Sequence, residues 1–261
     1  MYDVPTREQA LALVAQGHSL NSVSKQTGIS RAAIRGWRTR LEPLPHVGER
    51  FRPCSRCRPV PGPPEDTAAY AYLLGLYLGD GSISQPPRHR TPSLRLTLDD
   101  AWPGVQQEAA AALRVVFPHN AVGWVQKVGC HDLKLSSKHL TCLFPQHGPG
   151  KKHERRIVLE PWQQEIVDAH PWEFVRGLIH SDGCRMINWA TRLVRGEKKR
   201  YEYVRYFFTN VSDDIRRLYT DTLDTLGVEW THCTRAGRPY NISVARKASV
   251  ALMEAHVGPK Y

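Results

Sequence analysis

The feature that most constrains this chain is a duplication. Tyr72-Leu73-Leu74-Gly75-Leu76-Tyr77-Leu78-Gly79-Asp80-Gly81 and Phe174-Val175-Arg176-Gly177-Leu178-Ile179-His180-Ser181-Asp182-Gly183 share one frame: Gly-Leu, three residues, Asp-Gly. The flanking pattern repeats as well. Ser93 to Asp99 alternates, with Leu94, Leu96 and Leu98 on one face and Arg95 and Thr97 on the other, as a half-buried strand does. Its counterpart is Tyr203 to Val211. Asp99-Asp100 and Asp213-Asp214 each precede an amphipathic helical stretch. Trp124 and Trp230 mark a third strand, His131–Ser136 and Asn241–Val244 a fourth, and a last helix begins near Lys138 and Lys247. The predicted fold class is therefore α+β: two pseudo-symmetric αββαββα repeats, residues 67–150 and 151–261, each with an antiparallel sheet open on one polar face.

The shared helix carries the chemistry. Gly75 and Gly79, and Gly177 and Ser181, lie four apart on one face. Helical glycine costs roughly 0.5–1 kcal/mol relative to alanine, and close helix–helix contact is what can offset it. Asp80 and Asp182 fall in the last turn, where a negative charge opposes the helix dipole. Gly81 and Gly183 behind them suit a left-handed cap. Two such helices packed side by side bring their carboxylates together, and a divalent cation relieves both penalties. Oxygen donors suit Mg²⁺ or Mn²⁺, which in this setting assist phosphodiester hydrolysis. The candidate metal set is Asp80 and Asp182 with the adjoining Gly79 and Ser181. The plain alternative is a pair of solvated helix-ending aspartates, against which the duplicated frame weighs.

Upstream, residues 1–42 read as three helices with a turn at Gly28, and residues 43–66 as a semi-stiff proline-rich linker. Thr6, Ser19 and Ser30 are candidate N-caps. Ile34 and Trp37 share one face of the third helix, and Arg31, Arg35 and Arg38 the other. That segment resembles helix-turn-helix domains of resolvases and transposases, whose recognition helix enters the major groove. A helical hairpin with a solvated arginine face is the alternative. The linker holds Cys54-Ser55-Arg56-Cys57, half of a zinc site or simply two free thiols. The remaining cysteines, Cys130, Cys142, Cys184 and Cys233, read as small buried hydrophobes.

Composition narrows the function classes. A net charge of +11 favours polyanionic partners, nucleic acid first. Six cysteines in 261 residues point to a reducing compartment rather than a disulfide scaffold. The longest apolar run, Tyr70 to Leu78, is too short to span a bilayer, and the opening residues lack a secretory pattern. The expectation is a cytoplasmic monomer, nucleoid-associated if prokaryotic, whose partner is double-stranded DNA.

From Thr67 to Tyr261 the chain resembles single-chain LAGLIDADG homing endonucleases, with both motif helices in order. The second copy departs from the family frame at Arg176, His180 and Ser181. The resemblance implies a Mg²⁺- or Mn²⁺-dependent, site-specific double-strand DNA endonuclease of the intron- or intein-associated kind, with saddle-shaped sheets on the major groove. It implies that Asp80 and Asp182 bind the catalytic metals and that cleavage leaves a four-base 3′ overhang. It also implies an accessory lysine near the end of each repeat, matched by Lys151 and Lys260, with Lys152 adjoining the first. DNA contacts are expected from Arg88 and Arg90 in one hairpin loop, from Lys198, Lys199 and Arg200 in the equivalent loop, and from Arg95, Lys134 and Arg205 on strands. A transcription regulator that has kept the fold and lost cleavage is the alternative, and an RNA maturase a third class.

Overall fold

The computed structural model describes residues 4–38, 64–85, 91–235 and 238–261. The linker cysteines Cys54 and Cys57 and the loop residues Arg88 and Arg90 lie outside these. The chain divides into two compact units, Met1–Arg52 and Pro53–Tyr261.

In the first unit, helices α1 (Val4–Ala15), α2 (Leu20–Thr27) and α3 (Arg31–Trp37) close over Ala10, Val23, Ile29 and Ile34. The Ser19 hydroxyl accepts from the Ser22 amide and the Ser30 hydroxyl from the Ala33 amide. Gly28 takes the left-handed conformation at φ +70°. Thr6 lies inside α1 rather than capping it. Arg31, Arg35 and Arg38 are all exposed.

The second unit contains the two repeats. The first runs α4 (Thr67–Asp80), β1 (Gly81–Ser84), β2 (Ser93–Asp99), α5 (Pro103–Val116), β3 (Gly123–Lys127), β4 (Cys130–Ser136) and α6 (Leu140–Leu143). After a short 3₁₀ turn (Lys152–Glu154) and α7 (Pro161–Ala169), the order recurs: α8 (Pro171–Asp182), β5 (Gly183–Val194), β6 (Glu197–Thr209), α9 (Asp213–Thr225), β7 (Thr231–Arg235), β8 (Arg238–Val244) and α10 (Lys247–His256). Both sheets are antiparallel with the same strand order, β1-β2-β4-β3 and β5-β6-β8-β7. Trp230 falls just before β7 rather than on it.

Leu94, Leu96, Leu98, Leu133 and Leu135 of the first sheet, and Tyr206, Phe208, Ile242 and Val244 of the second, turn inward to one continuous core. Their strand neighbours therefore form an open face on each sheet. Helix α4 is buried from Tyr70 through Leu78, which explains why that stretch has no polar stripe.

The glycines place α4 against α8. A Cβ on Gly75 would stand 2.5 Å from the Phe174 carbonyl and 2.8 Å from the Leu178 nitrogen. One on Gly177 would overlap the Tyr72 carbonyl, and one on Gly79 the Ser181 side chain. The helices thus touch backbone to backbone at the positions where the sequence carries small residues.

Several expectations change. Gly81 (φ −83°, ψ 147°) and Gly183 (φ −102°, ψ 170°) are extended, not left-handed. They are glycines for lack of space: a Cβ would stand 2.5 Å from Tyr77 Cα at the first site and 2.7 Å from Ile179 Cα at the second. Lys198, Lys199 and Arg200 lie on β6, not in a loop, because the hairpin closes in two residues, Arg195 (φ 53°) and Gly196 (φ 83°). Cys142 is buried as expected, but Cys184 is exposed and Cys130 and Cys233 are half-buried. The strand period turns Cys184 outward, next to inward-facing Gly183. Among the described residues no helix is long and apolar enough to cross a membrane.

Candidate active site at the paired helix ends

Asp80 and Asp182 end α4 and α8, the two helices that touch. The site is tight: a Cβ on Gly79 would lie 3.1 Å from Asp182 Oδ2. Burial, followed by the nearby charge of Asp182, pushes the Asp80 carboxyl up to about 6, against the pull of Lys260 and Lys152. Asp182 is also raised by burial, opposed by the Asn210 amide, which donates to its Oδ2 at 2.6 Å, and by the same two lysines.

Two cavities of similar size flank the helix ends. One, about 350 Å³, is lined by Asp80, Asp99, His180, Ser181 and Lys260. The other, about 370 Å³, is lined by Gly79, Lys152, Asp182 and Asn210. Each cavity thus pairs the aspartate of one repeat with the lysine at the end of the other repeat or just beyond it. The Lys152 ammonium donates to the carbonyls of Tyr77 (2.6 Å), Leu78 (2.8 Å) and Gly79 (2.5 Å), at the negative end of the α4 dipole. Lys260 donates to the Ser181 carbonyl at 2.9 Å. The carbonyls before the two aspartates therefore each accept from a lysine. Burial pulls the Lys152 ammonium down to about 8 and that of Lys260 in the same direction, while the aspartates hold both up.

Lys152, not Lys151, occupies the first lysine position. Lys151 also borders the second cavity, but its side chain is largely exposed, with its ammonium 3.7 Å from Glu154. The 3₁₀ turn beginning at Lys152 aims one lysine inward and leaves its neighbour outside. Sequence reasoning also left Asn210 unnamed. Its signal was present: Asn210 lies two residues before the α9 cap Ser212, whose backbone N–H donates to the Asn210 Oδ1. His180, one of the departures from the family frame, is buried against Tyr72, whose hydroxyl is 2.9 Å from its Nδ1. Burial holds the imidazole down at about 4, so it is neutral at physiological pH.

The donor set fits a hard divalent cation. Two carboxylates are crowded in a buried spot, both raised, with oxygen as the available donor type, which suits Mg²⁺ or Mn²⁺ completed by waters. Among the described residues no cluster of three or more His, Cys, Asp or Glu offers a self-sufficient cage. The crowding has a measurable consequence. Holding a carboxyl at about 6 instead of 3.8 costs on the order of 3 kcal/mol at neutral pH, since stability falls as pH rises through that interval. Asp80→Asn is expected to raise the melting temperature of metal-free protein at pH 7 by up to roughly 10 °C, read by thermal unfolding in chelator. Magnesium should stabilise the wild type more than this variant, which keeps only the Asp182 cavity.

Of the expected DNA-contacting residues, Arg95 and Lys134 are cross-strand partners on the open face of the first sheet. The Arg95 guanidinium lies 3.2 Å from Asp132, which also binds Lys127 at 2.6 Å. On the second sheet Lys199 and Arg205 share the open face with Tyr201 and Tyr203. Lys198 and Arg200 point to the other face, where Arg200 covers the Trp189 ring at 5.0 Å and pairs with Glu202 at 2.7 Å.

No family model matches the chain, and no curated protein matches it in sequence. Solved structures do. Mesophilic variants of the homing endonuclease I-DmoI superpose with a TM-score of 0.50 at 16% identity, covering 74% of this chain and 96% of theirs. I-DmoI in complex with DNA and Mn gives 0.50 at 15%, covering 75% and 98%. At such identity the likeness concerns architecture alone: this chain has the LAGLIDADG fold.

Proposed function

We propose that the chain is a site-specific double-strand DNA endonuclease that hydrolyses one phosphodiester in each strand, one at each of the two cavities. The observation that carries this reading is the crossed pairing: Asp80 with Lys260 and Asp182 with Lys152, two copies of one charge arrangement at touching helix ends. A duplex has two antiparallel strands of equal chemistry, and a two-fold pair of sites in one chain suits it without a second subunit. Asp80 and Asp182 would hold divalent cations, which when bound neutralise phosphate charge and acidify a bound water. The Lys152 and Lys260 ammoniums add positive charge at fixed points beside the scissile groups. Asn210 fixes the Asp182 carboxylate in one rotamer. The open sheet faces, with Arg95, Lys134, Lys199 and Arg205, would lie on the major groove. The proposed organisation is a helix-turn-helix domain at residues 1–42 adding a second contact through Arg31, Arg35 and Arg38, a linker at 43–66, and repeats at 67–150 and 151–261.

The test is selection from a randomised duplex library in Mg²⁺ or Mn²⁺. The expected product is a double-strand break with a four-base 3′ overhang at one recovered sequence. Tight, specific binding without cleavage in either metal would instead establish a regulator.

The sheets also predict an asymmetric footprint. The β5–β6 ladder continues from Met186↔Arg205 to Val194↔Glu197, beyond the last residues that β8 covers, whereas among the described residues β1 and β2 pair over Gly81–Ser84. At about 3.3 Å per residue that arm adds roughly 30 Å, the length of about nine base pairs. Hydroxyl-radical footprinting should show protection reaching several base pairs further from the break on the second repeat's side. Equal arms would contradict the assignment.

A further inference from the structure

The two lysines occupy equivalent positions but are held differently. The ammonium of Lys152 lies under three carbonyls of α4 and 5.3 Å from the centroid of the Tyr77 ring. That of Lys260 meets one carbonyl. Lys260 also lies beyond α10, after the left-handed Gly258, on a stretch without helix or strand. No regular element fixes its backbone, so the anchor must be its neighbour, Tyr261.

Tyr261 returns to the first repeat. Its backbone oxygen accepts from the amides of Gly104 (2.8 Å) and Val105 (3.2 Å) in the first turn of α5. That helix lacks a side-chain cap of its own, because its N-cap is Trp102. The equivalent helix α9 is capped locally by Ser212. Tyr261 therefore does for α5 what a serine does for α9, from the far end of the fold. The Tyr261 ring lies directly on Gly104, where any Cβ would overlap it. Its hydroxyl reaches Glu108 at 3.3 Å, and Glu108 in turn pairs with Arg176 of α8 at 2.7 Å. The latch joins the end of the second repeat to a helix of the first, one residue past the lysine that lines the Asp80 cavity.

We propose that Tyr261 is a positioning residue: seated on Gly104 at the start of α5, it holds Lys260 in the Asp80 cavity. The inference rests on the endonuclease reading only for its kinetic consequence. Loss of the latch disables one cavity and spares the other, so one strand is cut slowly and the other normally. A general loss of stability would slow both.

Two measurements on the full chain decide it. The first needs no substrate: reductive methylation of surface lysines, followed by mass spectrometry. In Tyr261→Ala and Gly104→Val, Lys260 should be labelled about tenfold faster than in the wild type, with Lys152 unchanged, as local release requires. Tyr261→Phe, which keeps the ring and the backbone oxygen, should restore the wild-type pattern. The second is strand-resolved cleavage of the selected target, where Tyr261→Ala should accumulate nicked duplex with one strand about tenfold slower. Unchanged Lys260 labelling, or equal slowing of both strands, overturns the latch. A wild type that cuts no DNA removes the endonuclease reading, and the labelling result then decides the latch alone.

Discussion

On the proposed endonuclease reading, exchange of both Asp80 and Asp182 for asparagine is expected to lower cleavage by on the order of 10³-fold or more, because a metal-held charge at each strand would contribute several kcal/mol and each 1.36 kcal/mol is tenfold in rate. DNA binding should be retained or slightly tightened, since two negative charges leave a surface that must accept phosphates. Stability should not fall, because the exchange removes two charges that burial penalises and, at Asp80, the repulsion from Asp182 as well. The three readouts together make the prediction selective: a fold defect would lower all of them. Cleavage assays, binding titrations in calcium and thermal unfolding on the same preparation check it. Undiminished cutting by the double variant would remove these carboxylates from the chemistry.

Gly177→Ala is the second large effect. Its Cβ would press into the Tyr72 carbonyl and lie 3.0 Å from both Gly75 Cα and the Leu76 nitrogen, all of them backbone atoms. No rotamer change relieves such a clash. The helices must separate, and with them the buried tyrosines and leucines of α4. Over-packing a tight interior costs 1–3 kcal/mol or more, and about 3 kcal/mol here corresponds to a melting temperature lower by roughly 10 °C. Separation also moves Asp80 relative to Asp182, so cleavage should drop further than the melting temperature alone explains. By contrast Gly129→Ala, at a solvent-facing turn with φ +75° and no atom within 4 Å, should cost only its backbone strain, about 1 kcal/mol. Chemical denaturation of the two variants tests the contrast. A Gly177→Ala protein as stable as the Gly129→Ala one would mean that the helices do not meet at these glycines.

The duplication alone determined the fold class. Two copies of one hydrophobic pattern can bury their apolar faces in only a few ways, and small residues repeated at i and i+4 already require a helix partner. The serine caps of the first unit, the left-handed Gly28 and the alternation of Ser93 to Asp99 were equally legible, because each depends on neighbours within a few residues. So was the pair Asp80 and Asp182, since each breaks a local rule in place.

What only the tertiary structure decided depends on contacts that spacing alone does not place, the decisive ones between groups far apart in the chain. Lys151 and Lys152 are identical side chains one residue apart, and the carbonyls that distinguish them lie some 75 positions upstream. Gly81 and Gly183 read as cap residues until Tyr77 and Ile179 close the space over them. Lys198 and Arg200 lose the open face to Lys199 because a two-residue turn fixes the register of a long ladder. The Tyr261 seat on Gly104 spans about three quarters of the second unit. Local spacing encodes backbone conformation and face. Which side chain reaches a shared cavity is set by distant backbone atoms, and their positions exist only once the two repeats have closed on each other.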